Sequence, residues 1–223
     1  MNHKRIRTAR LLVAGLFITL SVQAQQMEVG GGLGGMLYKG DVSPALNPRF
    51  YRPAANLFFR YNVSRSFAVR AGVAIGSIGA ADRFSRDPFQ QARDYSFRSS
   101  LSEGSVDIEY NFLNYKLQPK ARNWTPYVFA GLGLCSFRNP VVKARGIINV
   151  PLGIGLKYEI NRPWSVGLEF GTRFTKHDYL DGLGERTYGI TTNKTAQGNP
   201  VLRDSYTYTA ITLSYTFYKI FCP

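Results

Sequence analysis

His177 is the residue of this chain whose type could most directly carry out proton transfer, since it is the only histidine after the first 24 residues. An imidazole titrates near neutral pH, and beside a carboxylate such as Asp178 it could act as a general base toward a serine or a water. No serine falls at a neighbouring position in the strands outlined below. We therefore expect a solvated loop histidine, no enzyme activity and no small-molecule substrate.

Two other patterns could hold a ligand but fit structural roles better. Asp178, Asp181 and Glu185 could offer oxygens to Ca²⁺, yet their spacing matches no defined calcium loop. The glycines between Gly30 and Gly35 could cradle a phosphate only if a helix followed them, and none is predicted. We expect a polar loop, a glycine-thinned strand, and neither metal nor cofactor.

Charged residues also stand singly within segments that are otherwise apolar and small. Six of them share one face of those segments: Arg60, Arg70, Glu109, Lys157, Glu169 and Arg173. They could form a ladder of paired charges that fills the inside of a barrel, or line a path for ions. A barrel of eight strands is just wide enough for side chains to fill it, which favours the ladder.

The elements that position these charges are strands, because apolar residues recur at every second position. Val150 to Tyr158 and Trp164 to Phe174 show the alternation most clearly. Eight such segments occur, each of about the ten residues that a tilted strand needs to cross a bilayer. Phe97 to Glu103 fits the phase opposite to the rest of its strand, which predicts a bulge near Gly104. The phase of the fifth strand, Thr125 to Cys135, stays open.

The connections between the strands alternate in length. The long ones are 39–53, 79–95, 136–149 and 176–205, the short ones are 63–66 and 160–163, and 113–124 is intermediate. Short periplasmic turns and long outer loops are typical of outer-membrane barrels, and an even strand count places both termini in the periplasm. Phe67, Trp124 and Trp164 then begin rising strands and predict an aromatic girdle on the periplasmic side.

The beginning of the chain has the features of an export signal. Basic residues from Lys4 to Arg10 precede the apolar run Leu11 to Leu20, and Ala24 is a suitable cleavage point. We therefore predict a signal peptide over 1–24 and a barrel domain over 25–223 in the cell outer membrane. The formal net charge of +14 is dispersed, so we expect outer-membrane lipid as a partner and no nucleic acid.

The two faces of the strands differ in size and charge. One is bulky and uncharged, whereas the other consists of glycine, alanine, serine and threonine broken by the charged residues. A soluble barrel would keep its large apolar residues inside, so this pattern favours a lipid-facing exterior and a small, polar interior. In that topology Cys135 and Cys222 lie at opposite ends of the barrel, and we predict no disulfide between them.

Short motifs in a constant order resemble the PorG-like family of outer-membrane β-barrels in Bacteroidetes. They are Tyr38-Lys39-Gly40-Asp41, Arg52-Pro53-Ala54, Phe59-Arg60-Tyr61-Asn62, Ser96-Phe97-Arg98-Ser99, Glu109-Tyr110-Asn111-Phe112, Pro126-Tyr127-Val128-Phe129-Ala130-Gly131, Asn139-Pro140, Gly153-Ile154-Gly155-Leu156-Lys157-Tyr158, Gly167-Leu168-Glu169, Arg173 and Asp178-Tyr179-Leu180-Asp181. The resemblance implies a non-enzymatic component of the type IX secretion system, which associates with a periplasmic ring lipoprotein.

The periplasmic turn 113–124 is the expected contact with that ring, because it is the longest of its side and carries Lys116, Lys120, Arg122 and Trp124. The Asp178 motif would lie at the outer surface instead. An alternative function stays open, namely a stand-alone surface barrel that binds a ligand or an adhesion partner through its outer loops.

Overall fold

Eight antiparallel strands form a closed barrel in which each strand pairs with its neighbours in sequence and the last pairs with the first. The computed structural model describes residues 26–40, 47–84, 88–93, 96–113, 122–138, 143–175 and 205–217. The strands are β1 (Gln26–Lys39), β2 (Arg52–Asn62), β3 (Phe67–Ala81), β4 (Ser96–Asn111), β5 (Trp124–Arg138), β6 (Lys143–Asn161), β7 (Trp164–Thr175) and β8 (Ser205–Phe217). The predicted eight-stranded antiparallel barrel is confirmed.

Helical structure within the described residues is limited to short segments between strands. Pro48–Phe50 and Asp82–Phe84 are 3-10 turns, and Pro88–Arg93 is the short helix α1. Among the residues described, no helix is both long and apolar enough to span a membrane.

The two ends of the barrel differ in their connections, as predicted for 63–66 and 160–163 but not for 136–149. At the short-turn end, residues 63–66 and 162–163 join strands, and β1 begins where β8 ends, with Met27 paired to Phe217. The opposite end is the loop end. Phe67, Trp124 and Trp164 are exposed at the short-turn end, where Phe67 packs at a tilt against Tyr110 and Trp164 packs edge to face against Tyr215. The grouping of these rings at one end of the barrel therefore matches the predicted aromatic girdle.

The strand faces point in the predicted directions. Large apolar side chains cover the outside, and the exposed fraction of Leu132 is 67% and that of Leu33 is 75%. In β5, Tyr127 and Phe129 are buried inside while Val128 and Leu132 face out, which settles the phase of that strand. β-Branched and aromatic residues at alternate positions favour the extended conformation that this surface requires.

The predicted bulge near Gly104 is wrong. Gly104 pairs with Val73 on one side and with Leu134 on the other in unbroken register, and one burial phase runs along all of β4. Phe97 and Leu101 consequently face the interior. The apparent change of phase is a change in the polarity of the interior, which is charged toward the short-turn end and apolar toward the loop end.

The interior near the loop end also corrects the expectation of small, polar inward side chains. Large apolar and aromatic residues fill this part of the barrel: Met36, Tyr38, Ile78, Phe97, Leu101, Phe137, Ile147, Tyr206 and Tyr208. The rings of Tyr38 and Phe97 meet edge to face at a centroid distance of 4.9 Å. Burial of these rings stabilises the loop-end half as an ordinary hydrophobic core does.

The predicted long connection 136–149 is likewise wrong, because β5 and β6 continue through most of it and leave only 139–142 between them. Arg138 pairs with Lys143 at the end of this hairpin. Ser136 lies opposite both Arg145 and Gly146, which forms a β-bulge, and Gly146 has φ of 69°. Glycine adopts this conformation without steric cost, so the bulge can form here.

Candidate functional site

The six charged residues predicted to share one face all lie buried inside the half of the barrel toward the short-turn end or at its middle. Asp107, which the alternation of β4 also places on this face, lies among them, and the structure adds Glu28 and Glu103. We call the full set the lumen network: Glu28, Arg60, Arg70, Glu103, Asp107, Glu109, Lys157, Glu169 and Arg173. Every residue of this set is 5% exposed or less, so the charges are removed from water.

Glu109 is the centre of the lumen network, because three cations reach its carboxylate. The Arg60 Nε lies 2.8 Å from its Oε2, and the Lys157 Nζ lies 2.5 Å from the same oxygen. The Arg70 Nε lies 3.3 Å from Oε1. Lys157 also donates to the Asn111 Oδ1 at 2.9 Å. One carboxylate thereby connects β2, β3, β4 and β6.

Arg70 extends the lumen network across the barrel. Its NH2 group donates to the Asp107 Oδ2 at 3.0 Å, and its NH1 group pairs with Glu169 on β7. The Tyr127 hydroxyl donates to the same Glu169 carboxylate at 3.2 Å. Arg60 pairs with Glu28 on β1, which brings the first strand into the network. Bonds between strands that are not neighbours tie opposite walls together.

The part of the lumen network that lies nearest the loop end adjoins the apolar core. Arg173 lies 3.6 Å from the Glu169 carboxylate and 3.5 Å from the Glu103 Oε1. The Tyr206 hydroxyl bonds to Glu103 and accepts a hydrogen bond from Asn149 at 3.0 Å. The Arg173 and Glu103 side chains, the Tyr206 hydroxyl and the Asn149 amide N–H therefore bond to one another within the barrel.

The rings of Tyr127 and Phe129 on β5 lie among these charges, and the glycines paired with them on the neighbouring strand β6 make room for the rings. A Cβ atom on Gly155 would stand 2.4 Å from the Tyr127 ring, and one on Gly153 would stand 2.5 Å from the Phe129 ring. The Lys157 Nζ lies 4.3 Å from the centre of the Tyr127 ring, and Arg70 lies 4.9 Å from that of Phe129. The Gly-Ile-Gly-Leu-Lys motif therefore serves this packing.

The arrangement fits a plug better than a reaction centre. Four cations and five carboxylates of the described lumen are in direct contact, which leaves a formal charge of only −1, and removal of one partner would leave a buried, unpaired charge. No group of three or more His, Cys, Asp or Glu residues in the described part of the chain has the arrangement of a metal site. Its chemistry is mutual neutralisation, which holds the strands together and blocks the lumen.

The other predicted site residues are placed only in part. Arg122 and Trp124 are exposed at the short-turn end, whereas Lys116 and Lys120 lie outside the described residues. So do His177, the motif Asp178, Tyr179, Leu180 and Asp181, the predicted signal peptide over 1–24, and Cys222. Cys135 is buried and its thiol is free.

Sequence reasoning missed Glu28 and Glu103 as members of the network. Glu28 is in phase with Gly30, Gly32 and Gly34 on the inward face of β1, so period two was a sufficient signal. Glu103 stands in the segment of β4 to which the opposite phase was assigned. An acidic residue is rarely left facing lipid, and this rule would have corrected the phase.

Several solved structures have similar folds, at low identity. Neisserial surface protein A shares 8% identity over 86% of this chain and 96% of its own, with a TM-score of 0.49. The attachment invasion locus protein Ail of Yersinia pestis, in complex with the heparin analogue sucrose octasulfate, shares 11% over 87% and 100%, also at 0.49. OprG of Pseudomonas aeruginosa shares 11% over 88% and 97%, at 0.48. Likenesses of this size carry no information on function.

At the level of sequence, residues 7–223 match the profile of a family described as "Domain of unknown function (DUF6089)". The sequence has no significant match among curated proteins.

Proposed function

The chain belongs to the DUF6089 family, and we propose that it is an outer-membrane barrel that serves as a non-enzymatic structural part of the type IX secretion machine. The observation that carries this proposal is the filled interior. The lumen network and the apolar core fill the inside of the barrel. A partner protein would therefore bind at the ends of the barrel and not inside it.

The placement in a membrane is supported by the distribution of polarity. Leucine, isoleucine, valine and aromatic side chains face outward over the middle of all eight strands, while the ionic side chains of those stretches face inward. Such an exterior would be unfavourable in water, and a bilayer solvates it. A closed barrel also satisfies its backbone hydrogen bonds without water, as residence in lipid requires.

A part in secretion is supported by the resemblance to the PorG-like family together with a basic, aromatic turn. Arg122 and Trp124 are exposed at the short-turn end, and Lys116 and Lys120 belong to the same connection in sequence. Tryptophan and arginine are enriched in protein interfaces. We propose that this turn contacts a periplasmic ring lipoprotein.

Recovery of partners with the tagged protein from gently solubilised outer membranes tests the proposal. The ring lipoprotein should co-purify, and the variant Lys116→Gln/Lys120→Gln/Arg122→Gln should recover much less of it. The matched control is Lys39→Gln/Arg49→Gln/Arg83→Gln, which removes three basic residues at the loop end and should leave recovery unchanged. Clean recovery of the barrel alone from membranes in which the rings are intact would refute the role in secretion.

A second candidate, a stand-alone surface barrel with a binding role, is favoured by one feature of the loop end. The exposed Phe84 ring lies below Arg83 at 4.8 Å and near Arg49 at 5.5 Å, and it packs against Phe50 at 5.9 Å. Ordered aromatic and arginine side chains are common in binding surfaces. Two results would favour this candidate. A deletion strain would still secrete its cargo, and the variant Lys39→Gln/Arg49→Gln/Arg83→Gln would lose adhesion.

A further inference from the structure

We propose that the outer wall of the barrel around β4 and β5 binds a membrane lipid whose phosphate headgroup carries a net negative charge. An apolar groove that spans β1 to β6 is followed along β4 and β5, toward the loop end, by a serine and arginine pocket. The proposal depends on the membrane placement given above and not on the role in secretion.

The apolar groove exists because a side chain is missing in the middle of the wall. Gly104 faces outward, and a Cβ atom built on it would have no neighbour within 4 Å. The resulting groove has a volume of about 1000 Å³. Its lining runs from β1 to β6 and includes Val29, Leu57, Val73, Gly104, Leu132 and Ile148. Its floor and walls are almost wholly apolar, which suits an acyl chain.

The polar pocket begins at the next outward positions of the same strands. Ser102 follows Gly104 along β4, and Ser136 follows Leu134 along β5, and these two serines are paired in register. One step further, Ser100 pairs with Arg138. Together with Arg145, Leu101 and Phe137 they line a cavity of about 370 Å³. The pocket therefore lies on the loop-end side of the groove, where the outward apolar residues of β4 and β5 end.

The β-bulge in the β5–β6 hairpin brings Arg145 to this pocket. Phe137 faces inward and pairs with Ala144, whereas Ser136 lies opposite both Arg145 and Gly146. The extra residue changes the phase of β6 at this point, so that Arg145 is exposed on the outer wall. The Gly146 N–H donates to the Ser136 Oγ at 3.4 Å, which fixes the bulge against the serine.

The charge of the pocket selects an anion. Arg138 and Arg145 line it, and Arg98 is exposed two positions beyond Ser100 on β4. No carboxylate occupies an outward position in the loop-end half of β4, β5 or β6 among the described residues. Guanidinium groups bind phosphate through paired hydrogen bonds, and serine hydroxyls can donate as well. A charge-neutral headgroup would leave the three arginines uncompensated.

The order of the two features along the wall identifies an amphiphile. The cationic pocket lies toward the loop end and the apolar groove toward the middle of the belt, which matches a lipid with its headgroup at the membrane surface. A free phosphate would use only the pocket, and a protein segment has no need of a groove that starts inside the belt. The site is therefore assigned to a lipid.

Native mass spectrometry of the detergent-solubilised full chain tests the assignment. The probes are dioleoyl phosphatidylglycerol and dioleoyl phosphatidylcholine, which have the same acyl chains. Phosphatidylglycerol should bind more tightly, and Arg98→Gln/Arg138→Gln/Arg145→Gln should weaken it about tenfold, since each basic residue at an anionic surface adds to affinity. Gly104→Leu, which fills the groove, should also weaken binding, by about threefold or more. Arg65→Gln, which removes an exposed arginine from the turn 63–66 at the opposite end, is the control and should bind as the original protein does.

Two results would overturn the proposal. One is equal binding of both lipids, or an unchanged affinity for phosphatidylglycerol in the arginine variant. The other is competition by glycerol 1-phosphate at the same concentrations as the lipid, which would identify a phosphate site without an acyl-chain groove. Insertion into phosphatidylcholine vesicles, measured on the same samples, separates the outcomes. A barrel that inserts but shows no lipid preference sinks this inference alone, and one that fails to insert sinks the membrane placement.

Discussion

The Lys157 Nζ and the Glu109 Oε2 lie 2.5 Å apart across the lumen, between strands β6 and β4, which are not neighbours in the barrel. Arg70 and Glu169 form a comparable tie between β3 and β7. Backbone hydrogen bonds link only adjacent strands, so these ion pairs add connections that the sheet cannot make. They fix the cross-section of the barrel as well as filling it.

Glu109→Gln should lower the free energy of unfolding by about 3 kcal/mol, because it leaves buried cations around a neutral amide. Unfolding by urea from lipid vesicles, followed by tryptophan fluorescence, measures the loss. Glu159→Gln is the control, since among the described residues Glu159 forms a single ion pair, at 2.9 Å, with the exposed Arg162, and a pair with an exposed partner contributes about 1 kcal/mol or less. Equal losses in the two variants would contradict the central role of Glu109.

Gly155→Ala should destabilise the barrel by about 1–3 kcal/mol, a typical cost of overpacking. The added Cβ would meet the Tyr127 ring at 2.4 Å and the Leu168 carbonyl oxygen at 2.6 Å, and the latter cannot move without the strand. Gly104→Ala is the matched control, since its Cβ meets nothing within 4 Å. The same urea titration compares the two, and a stable Gly155→Ala variant would show that the ring has room to shift.

Leu132→Lys tests the membrane placement. A lysine at the middle of a lipid-facing strand costs about 2–4 kcal/mol, so insertion into vesicles should fall sharply. In a soluble barrel the same exposed position would accept lysine with little effect. Ser96→Lys, near the loop end of β4, is the control and should insert normally. Undiminished insertion of Leu132→Lys would speak against a lipid-facing belt.

No disulfide should form between Cys135 and Cys222. Cys135 is buried among the apolar residues of the loop-end half, and the topology predicts Cys222 near the short-turn end, across a belt about 25 Å tall. Peptide mapping without reductant checks this, with the reduced and alkylated protein as reference. A linked Cys135–Cys222 peptide would overturn the topology of the C-terminal segment.

The errors in the sequence-based expectations have a common physical cause. Phe97 and Leu101 were taken for lipid-facing residues because apolar side chains were assumed to face out everywhere. Ser136, Arg138 and Arg145 were taken for loop residues because they are polar. In both places the polarity of the surroundings changes along the barrel axis. A strand that keeps its phase must then change between apolar and polar residues on the same face. The polarity of a residue alone therefore does not show which way its side chain points.

The sequence by itself determined the number of strands, their order, and the inward face of seven of the nine charges of the lumen network. These follow from local rules, since the period of a strand and the residues of a turn are properties of short segments. Only the tertiary structure decided which charges pair, that the loop-end interior is apolar, and that a bulge brings Arg145 beside Ser136. Those depend on the curvature and closure of the barrel. Closure places β3 across the lumen from β7, and curvature brings the inward side chains of β4 and β6 together over β5.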